Sequence, residues 1–133
     1  MPPSEAAIQA RVRLTLGREP DLVLFRLSQG VGKTPDGRTF RGGLRPGASD
    51  LVGVGPGGIW TSIEIKAHRG RLDPKQLQFL TLVQDHGGFA CVIQASSLDQ
   101  ATDRARRALE LIRGGVVDWV GWPYITEEIC QKK

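Results

Sequence analysis

Apolar residues recur at Ile8, Val12 and Leu16, the spacing of one helical face. Ser4 stands before this run as an N-cap and Gly17 closes it, so the chain is predicted to open with a helix. The period then changes. Leu22 to Leu27 is short and apolar and predicts a strand. Residues 28–47 are rich in Gly, Pro and polar side chains and predict a long loop or irregular hairpin. Asp50 to Val54 and Trp60 to Lys66 predict a β-hairpin turned at Gly55-Pro56-Gly57-Gly58. Asp73-Pro74, with Gln76 three residues after the cap, opens a second helix that ends near Gly87-Gly88. Phe89 to Gln94 predicts a fourth strand. Ser96 and Asp99 form a capping-box-like pair before the stripe Leu98, Ala101, Ala105, Leu109 and Ile112, which predicts a last helix closed by Gly114. Val116 to Val120 reads as a short strand in a tail that clusters Trp119, Trp122 and Tyr124. The order α-β-β-β-α-β-α predicts an α/β fold, a small sheet flanked by helices.

Length and composition narrow the class. With 133 residues, 40% apolar and 24% charged, the chain is expected to form one soluble globular domain spanning 1–133. It has no apolar run of the ~20 residues that a membrane helix needs. Met1 to Ser4 lacks the features of a signal peptide, and two cysteines, Cys91 and Cys130, suit neither a disulfide scaffold nor a zinc site, so a cytoplasmic location is expected. The net charge of +4 is unevenly spread. Residues 30–75 carry eight basic and four acidic side chains, and the segments on either side nearly cancel. A basic field centred on one segment suits a polyanion such as nucleic acid, or simply a solvated loop.

Two apparent phosphate-binding motifs fail on context. Gly32-Lys33-Thr34 lacks the earlier glycine of a P-loop, since position 27 is Leu27, and Pro35-Asp36-Gly37 follows where a helix is required. Gly53, Gly55 and Gly58 lead into a strand, not a helix N-terminus.

The chemistry gathers between Asp50 and Lys66. Glu64 and Lys66 lie two apart on one strand and share a face, while Ile63 and Ile65 face the core. Asp50 begins the neighbouring strand at the same end of the sheet. Two carboxylates and a main-chain carbonyl suit a hard divalent ion, with the lysine left for a phosphate or an attacking water; a cross-strand ion pair on the surface is the plainer alternative. Glu5 falls on the apolar stripe of the first helix and is expected to point inward, although a first-turn glutamate is also favoured by the helix dipole. Gln76 falls on the face of Phe79, Leu80 and Val83, or serves the capping box with Asp73.

These residues carry a resemblance. The ordered set Gly47-Ala48-Ser49-Asp50-Leu51-Val52-Gly53-Val54, Glu64-Ile65-Lys66, Gly70-Arg71-Leu72-Asp73-Pro74-Lys75-Gln76 and Gly87-Gly88, preceded by a glutamate-bearing helix, resembles the VRR-NUC (virus-type replication-repair nuclease) domain of the PD-(D/E)xK restriction-endonuclease-like superfamily. It covers about residues 4–97, leaving the last helix and aromatic tail, 98–133, outside it. Chains this short resemble the standalone phage-type members, which act as homodimers. The resemblance implies a restriction-endonuclease-like mixed sheet, Asp50 and Glu64 as metal-binding acids, the main-chain carbonyl of Ile65 completing the site, Lys66 as catalytic lysine, Gln76 as the motif glutamine, and Glu5 holding the metal through water or a second ion. The position before Gln76, often Glu in the family, is Lys75 here, and His68 is left without a role.

The implied reaction is Mg²⁺- or Mn²⁺-assisted phosphodiester hydrolysis, with Arg38, Arg41, Arg45, Arg69, Arg71 and Lys75 tracking the DNA backbone. A homodimer with two sites suits branched DNA, of the Holliday-junction or flapped kind. The aromatic tail is expected to form either a dimer surface or core packing. A sequence-specific restriction-type nuclease and a non-catalytic DNA-binding module are the alternatives.

Overall fold

In the computed structural model, which describes residues 1–27, 31–41 and 47–131, the chain runs through helix α1 (Glu5–Leu16) and strand β1 (Val23–Arg26). Strands β2 (Val31–Lys33), β3 (Thr39–Arg41), β4 (Leu51–Val54) and β5 (Trp60–Ala67) follow. Helix α2 (Pro74–Asp85), strand β6 (Phe89–Ala95), and helices α3 (Leu98–Arg113) and α4 (Glu127–Gln131) complete it. The main sheet has the order β1-β4-β5-β6. β1, β4 and β5 are antiparallel neighbours, and β6 returns parallel to β5 after the α2 crossover. β2 and β3 pair separately, which is the irregular hairpin expected of residues 28–47. Among the described residues no helix is long and apolar enough to cross a membrane.

The β5–β6 half of the sheet is covered on both faces, while the edge strand β1 leaves Val23 and Phe25 exposed. Leu51, Ile63, Ile65, Cys91 and Ile93 point to one face and pack with Ile8, Val12 and Leu16 of α1 and the alanine-lined stripe of α3. Ala101, Ala105 and Ala108 are fully buried there, and such small side chains let α3 approach the layer beneath closely. Ala90 and Val92 point to the other face, against Phe79, Leu80 and Val83 of α2. Gly53 is required where β1 crosses β4, since a Cβ there would lie 1.7 Å from the Val23 carbonyl oxygen. Gly53→Ala is therefore expected to cost about 3 kcal/mol or more by forcing β1 off the sheet. Thermal denaturation checks this, as a fall in midpoint of roughly 10 °C.

Three local expectations are corrected. The cap of α3 is Ser97, whose hydroxyl accepts from the Gln100 amide at 3.1 Å, and Gln100 Oε1 accepts from the Ser96 amide at 2.8 Å. Gln100 thus takes the part expected of Asp99, one residue along. Val116–Val120 is not a strand. Gly114 and Gly115 end α3, and the chain then turns, held by Trp119, whose ring stacks on Phe89 at 5.5 Å and whose indole N–H donates to the Tyr124 carbonyl. Among the described residues of the tail only Tyr124 bridges the sheet, beside Val92: the Val92 amide donates to the Pro123 carbonyl and the Ile125 amide to the Val92 carbonyl, so the tail covers the β6 edge. Trp122 donates to the Ala90 carbonyl at 2.9 Å. Of the two readings of the aromatic tail, packing against the chain's own sheet describes Trp119 and Trp122. α4, too short to carry a periodic signal, was not expected.

Candidate active site

Where β4 and β5 part, the strands leave a gap that side chains fill. Pairing of β4 with β5 ends at Leu51 opposite Ile63. Asp50 therefore meets no ladder partner on β5, and its Oδ2 accepts from the Ile65 amide at 3.0 Å in place of a main-chain carbonyl. This holds the Asp50 carboxylate beside β5. The N–H and C=O of one strand residue leave on the same edge, so the Ile65 carbonyl also leaves β5 towards Asp50.

Gly47, at φ +86°, brings the approach to Asp50 against the first turn of α2, where a Cβ would lie 2.4 Å from the Lys75 carbonyl oxygen. That contact sets α2 close enough for Gln76 to work in two directions. Its main-chain N–H and side-chain Oε1 complete a capping box with Asp73, and its Nε2 donates to Glu64 Oε1 at 3.2 Å. The two readings of Gln76 are thus both correct, because the amide has an acceptor for the cap and donors for the acid.

Glu64 is 1% exposed and Lys66 9%. Neither is a surface group, and among the described residues Lys66 makes no ion pair, so the surface cross-strand pair is excluded. Glu64 Oε2 is buried and no donor group of the chain reaches it. Carboxylate oxygens of Glu5, Asp50 and Glu64 all lie within 4.8 Å of one another. Glu5 differs from its expected inward placement. As the first residue of α1 it has no preceding turn to cover it, so it is exposed overall while its carboxylate closes the rim of the cluster.

The electrostatics follow from this crowding. Burial, then a hydrogen bond that the protonated acid makes with Asp50, then the charges of Asp50 and Glu5, push the Glu64 carboxyl up to about 9, against the pull of Lys66. Burial and Asp50 also raise Glu5, again opposed by Lys66. Three crowded acids, with one lysine beyond contact distance, are relieved either by a proton on Glu64 or by a cation among the carboxylates. The donor set therefore fits a divalent metal.

Arg69, Arg71 and Lys75 are exposed, on the segment joining β5 to α2 and on its first turn. Arg38 is exposed on the small hairpin and bonded to Asp36 at 2.9 Å. Arg45 and the side chain of Arg41 lie outside the described residues. His68 is exposed and touches the cluster with neither ring nitrogen among the described contacts. A concavity of about 740 Å³ lies elsewhere, lined by Trp60, Phe79, Leu82, Val83 and His86 towards the far end of α2, and holds none of the acids. Two residues of the site region carried no signal in the sequence. Ser49 is fully buried with an unpartnered hydroxyl. Gln94, legible only as the end of a strand, bonds three carbonyls of the segment after Lys66.

A comparison with curated proteins returned no match. The family model for the VRR-NUC domain matches residues 5–97, from the first residue of α1 to the cap of α3, and so takes in the whole acid cluster together with Lys66 and Gln76. With most of the chain inside that match and the mixed, helix-flanked sheet of a restriction-endonuclease-like fold around the site, this protein belongs to the VRR-NUC domain family of nucleases.

Proposed function

We propose that the chain is a divalent-metal-dependent, structure-selective DNA endonuclease that hydrolyses phosphodiester bonds in branched DNA of the Holliday-junction or flapped kind. The observation that carries the reading is the convergence of Glu5, Asp50 and Glu64, with a buried oxygen on Glu64 that no donor reaches, on the strand that carries Lys66. Asp50 offers the oxygen not taken by the Ile65 amide, Glu64 offers Oε2, the Ile65 carbonyl faces the same edge, and Glu5 closes the set from the rim. A bound Mg²⁺ or Mn²⁺ acidifies water and neutralises charge on a phosphate.

The remaining work falls to the chain itself. Gln76 fixes the Glu64 carboxylate by holding Oε1, so that Oε2 is presented inward. Lys66, on the same strand face as Glu64, orients the attacking water and offsets the negative charge that develops on the phosphate. Arg69, Arg71 and Lys75, with Arg38, Arg41 and Arg45, bind backbone phosphates without reading bases. Residues 1–133 act as one domain, in the cytoplasm, and as a homodimer whose two sites are related by a two-fold axis and meet two strands of a junction.

A panel of end-labelled junction, flap, single-stranded and linear duplex DNA, incubated with Mg²⁺, Mn²⁺ or EDTA, tests this. Cutting of the branched substrates at sites independent of their sequence, abolished by EDTA, is the expected result. Binding of the whole panel without cutting would overturn it, and cutting only of linear duplex at one sequence would assign a restriction-type nuclease instead.

A further inference from the structure

Gln94 sits beside Lys66 in the parallel register of β5 and β6, on the same face of the sheet. Its side-chain Nε2 reaches across the strand end to the carbonyls of Ala67 at 2.8 Å, His68 at 3.3 Å and Gly70 at 2.6 Å. One amide group has two hydrogens, so the three acceptors share them, and the turn Ala67–Gly70 is drawn around a single nitrogen. That turn is closed by the Gly70 amide donating to the Ala67 carbonyl at 2.9 Å. It also lies on the stem of the lysine: a Cβ on Gly70 would stand 3.3 Å from Lys66 Cδ. Gln94 is itself held in place, since its main-chain carbonyl accepts from the Arg104 guanidinium of α3. Nothing in the strand requires a glutamine here. A half-buried position at a strand end accepts many side chains, but only one with two donors at this reach joins three carbonyls of a turn 24 to 27 residues away.

We infer that Gln94 is a positioning residue for the hydrolysis, clamping the Ala67–Gly70 turn against the Lys66 stem so that the ammonium stays aimed at the acid cluster. The inference rests on the nuclease reading for its catalytic consequence and on geometry alone for the clamp. Gln94→Met keeps the length and removes both donors; Gln94→Glu keeps the shape and sets a carboxylate against three carbonyls. Both variants are compared with the unaltered chain by kcat and KM on the branched substrate with Mn²⁺, by thermal midpoint, and by amide hydrogen exchange.

The expected result is a fall in kcat of about 10–100-fold with KM changed less than threefold and the midpoint within a few degrees, together with at least tenfold faster exchange at the Gly70 amide, whose bond to the Ala67 carbonyl closes the turn, and unchanged exchange in α2 and β6. Unchanged exchange in the turn would overturn the clamp. A tenfold change in exchange with kcat unaffected would overturn its catalytic role, as would a loss of kcat that only tracks a falling midpoint. If the unaltered chain cuts no DNA, the nuclease reading and the catalytic role fall together, and the exchange comparison still decides the clamp.

Discussion

Replacing Lys66 by Ala, or Asp50 by Asn, is expected to lower the rate of DNA cleavage by at least about 10³-fold, equivalent to about 4 kcal/mol of transition-state stabilisation. The two losses have different causes, and the structure separates them. Asp50→Asn keeps an oxygen for the Ile65 amide, so the edge of β5 stays in place, but it removes a charge from the cluster that must attract a cation. It should therefore lose metal affinity and activity together. Lys66 makes no ion pair with the acids and is no metal ligand, so Lys66→Ala should retain metal and DNA binding while losing the chemical step. Single-turnover cleavage with saturating enzyme, alongside a binding measurement in Ca²⁺, distinguishes them. Retention of more than a tenth of the rate by either variant would remove that residue from the site.

The second large effect concerns stability. The Glu64 carboxyl stands near 9 in the folded chain, raised by burial and by Asp50, and near 4.5 when unfolded. Between those values the folded state carries a proton that the unfolded state has lost. The contribution is then fully present at low pH and is lost as pH rises, by up to about 1.4 kcal/mol per unit. In EDTA the protein is expected to weaken from pH 5 to 9. Glu64→Gln should remove this slope and stabilise the metal-free chain by roughly 4 kcal/mol at pH 8, since a neutral amide fits where a protonated acid is preferred and its oxygen still accepts from Gln76. The same variant should not cleave DNA. Denaturation in EDTA at several pH values measures both curves, and parallel curves would show that Glu64 is not the titrating group. A site residue whose neutralisation stabilises the fold is one held against the fold's own interest.

Much of this was legible in the sequence where a residue's spacing also decides its environment. The alternation Ile63-Glu64-Ile65-Lys66 placed two side chains in the core and two on the opposite face, and strand pleating enforces that whatever surrounds it. Asp73-Pro74 and Gln76 marked the start of α2, because a capping box is local chemistry. The failures are non-local. Helical phase placed Glu5 on the buried stripe, yet a phase angle does not tell how much chain lies beyond the helix end to cover it. Val116–Val120 had the composition of a strand, but the Trp119 ring on Phe89, the Val92 amide donating to the Pro123 carbonyl and the Ile125 amide donating to the Val92 carbonyl decided its path. Ser97 displaced Ser96 as cap because Gln100 reached back, a choice between neighbours that differs by one residue. Gln94 was invisible, since its role depends on the parallel register that sets it next to Lys66.

The basic excess of residues 30–75 takes on a location. Arg69, Arg71 and Lys75 are exposed on the segment between β5 and the first turn of α2, while the acids of the cluster reject an anion until a cation arrives. Affinity for DNA and competence to cut it should therefore respond differently to metal, with the first depending on salt and the second on the divalent ion.

The central claim is that Glu5, Asp50 and Glu64 form a metal site, and a Mn²⁺ titration followed by electron paramagnetic resonance tests it most directly, with proton release measured in parallel at pH 7.5. The expected result is saturable loss of the free-ion signal in the unaltered chain, release of about one proton as the ion displaces it from Glu64, and neither effect in Asp50→Asn. Identical titrations of the two proteins, or binding without proton release, would contradict it.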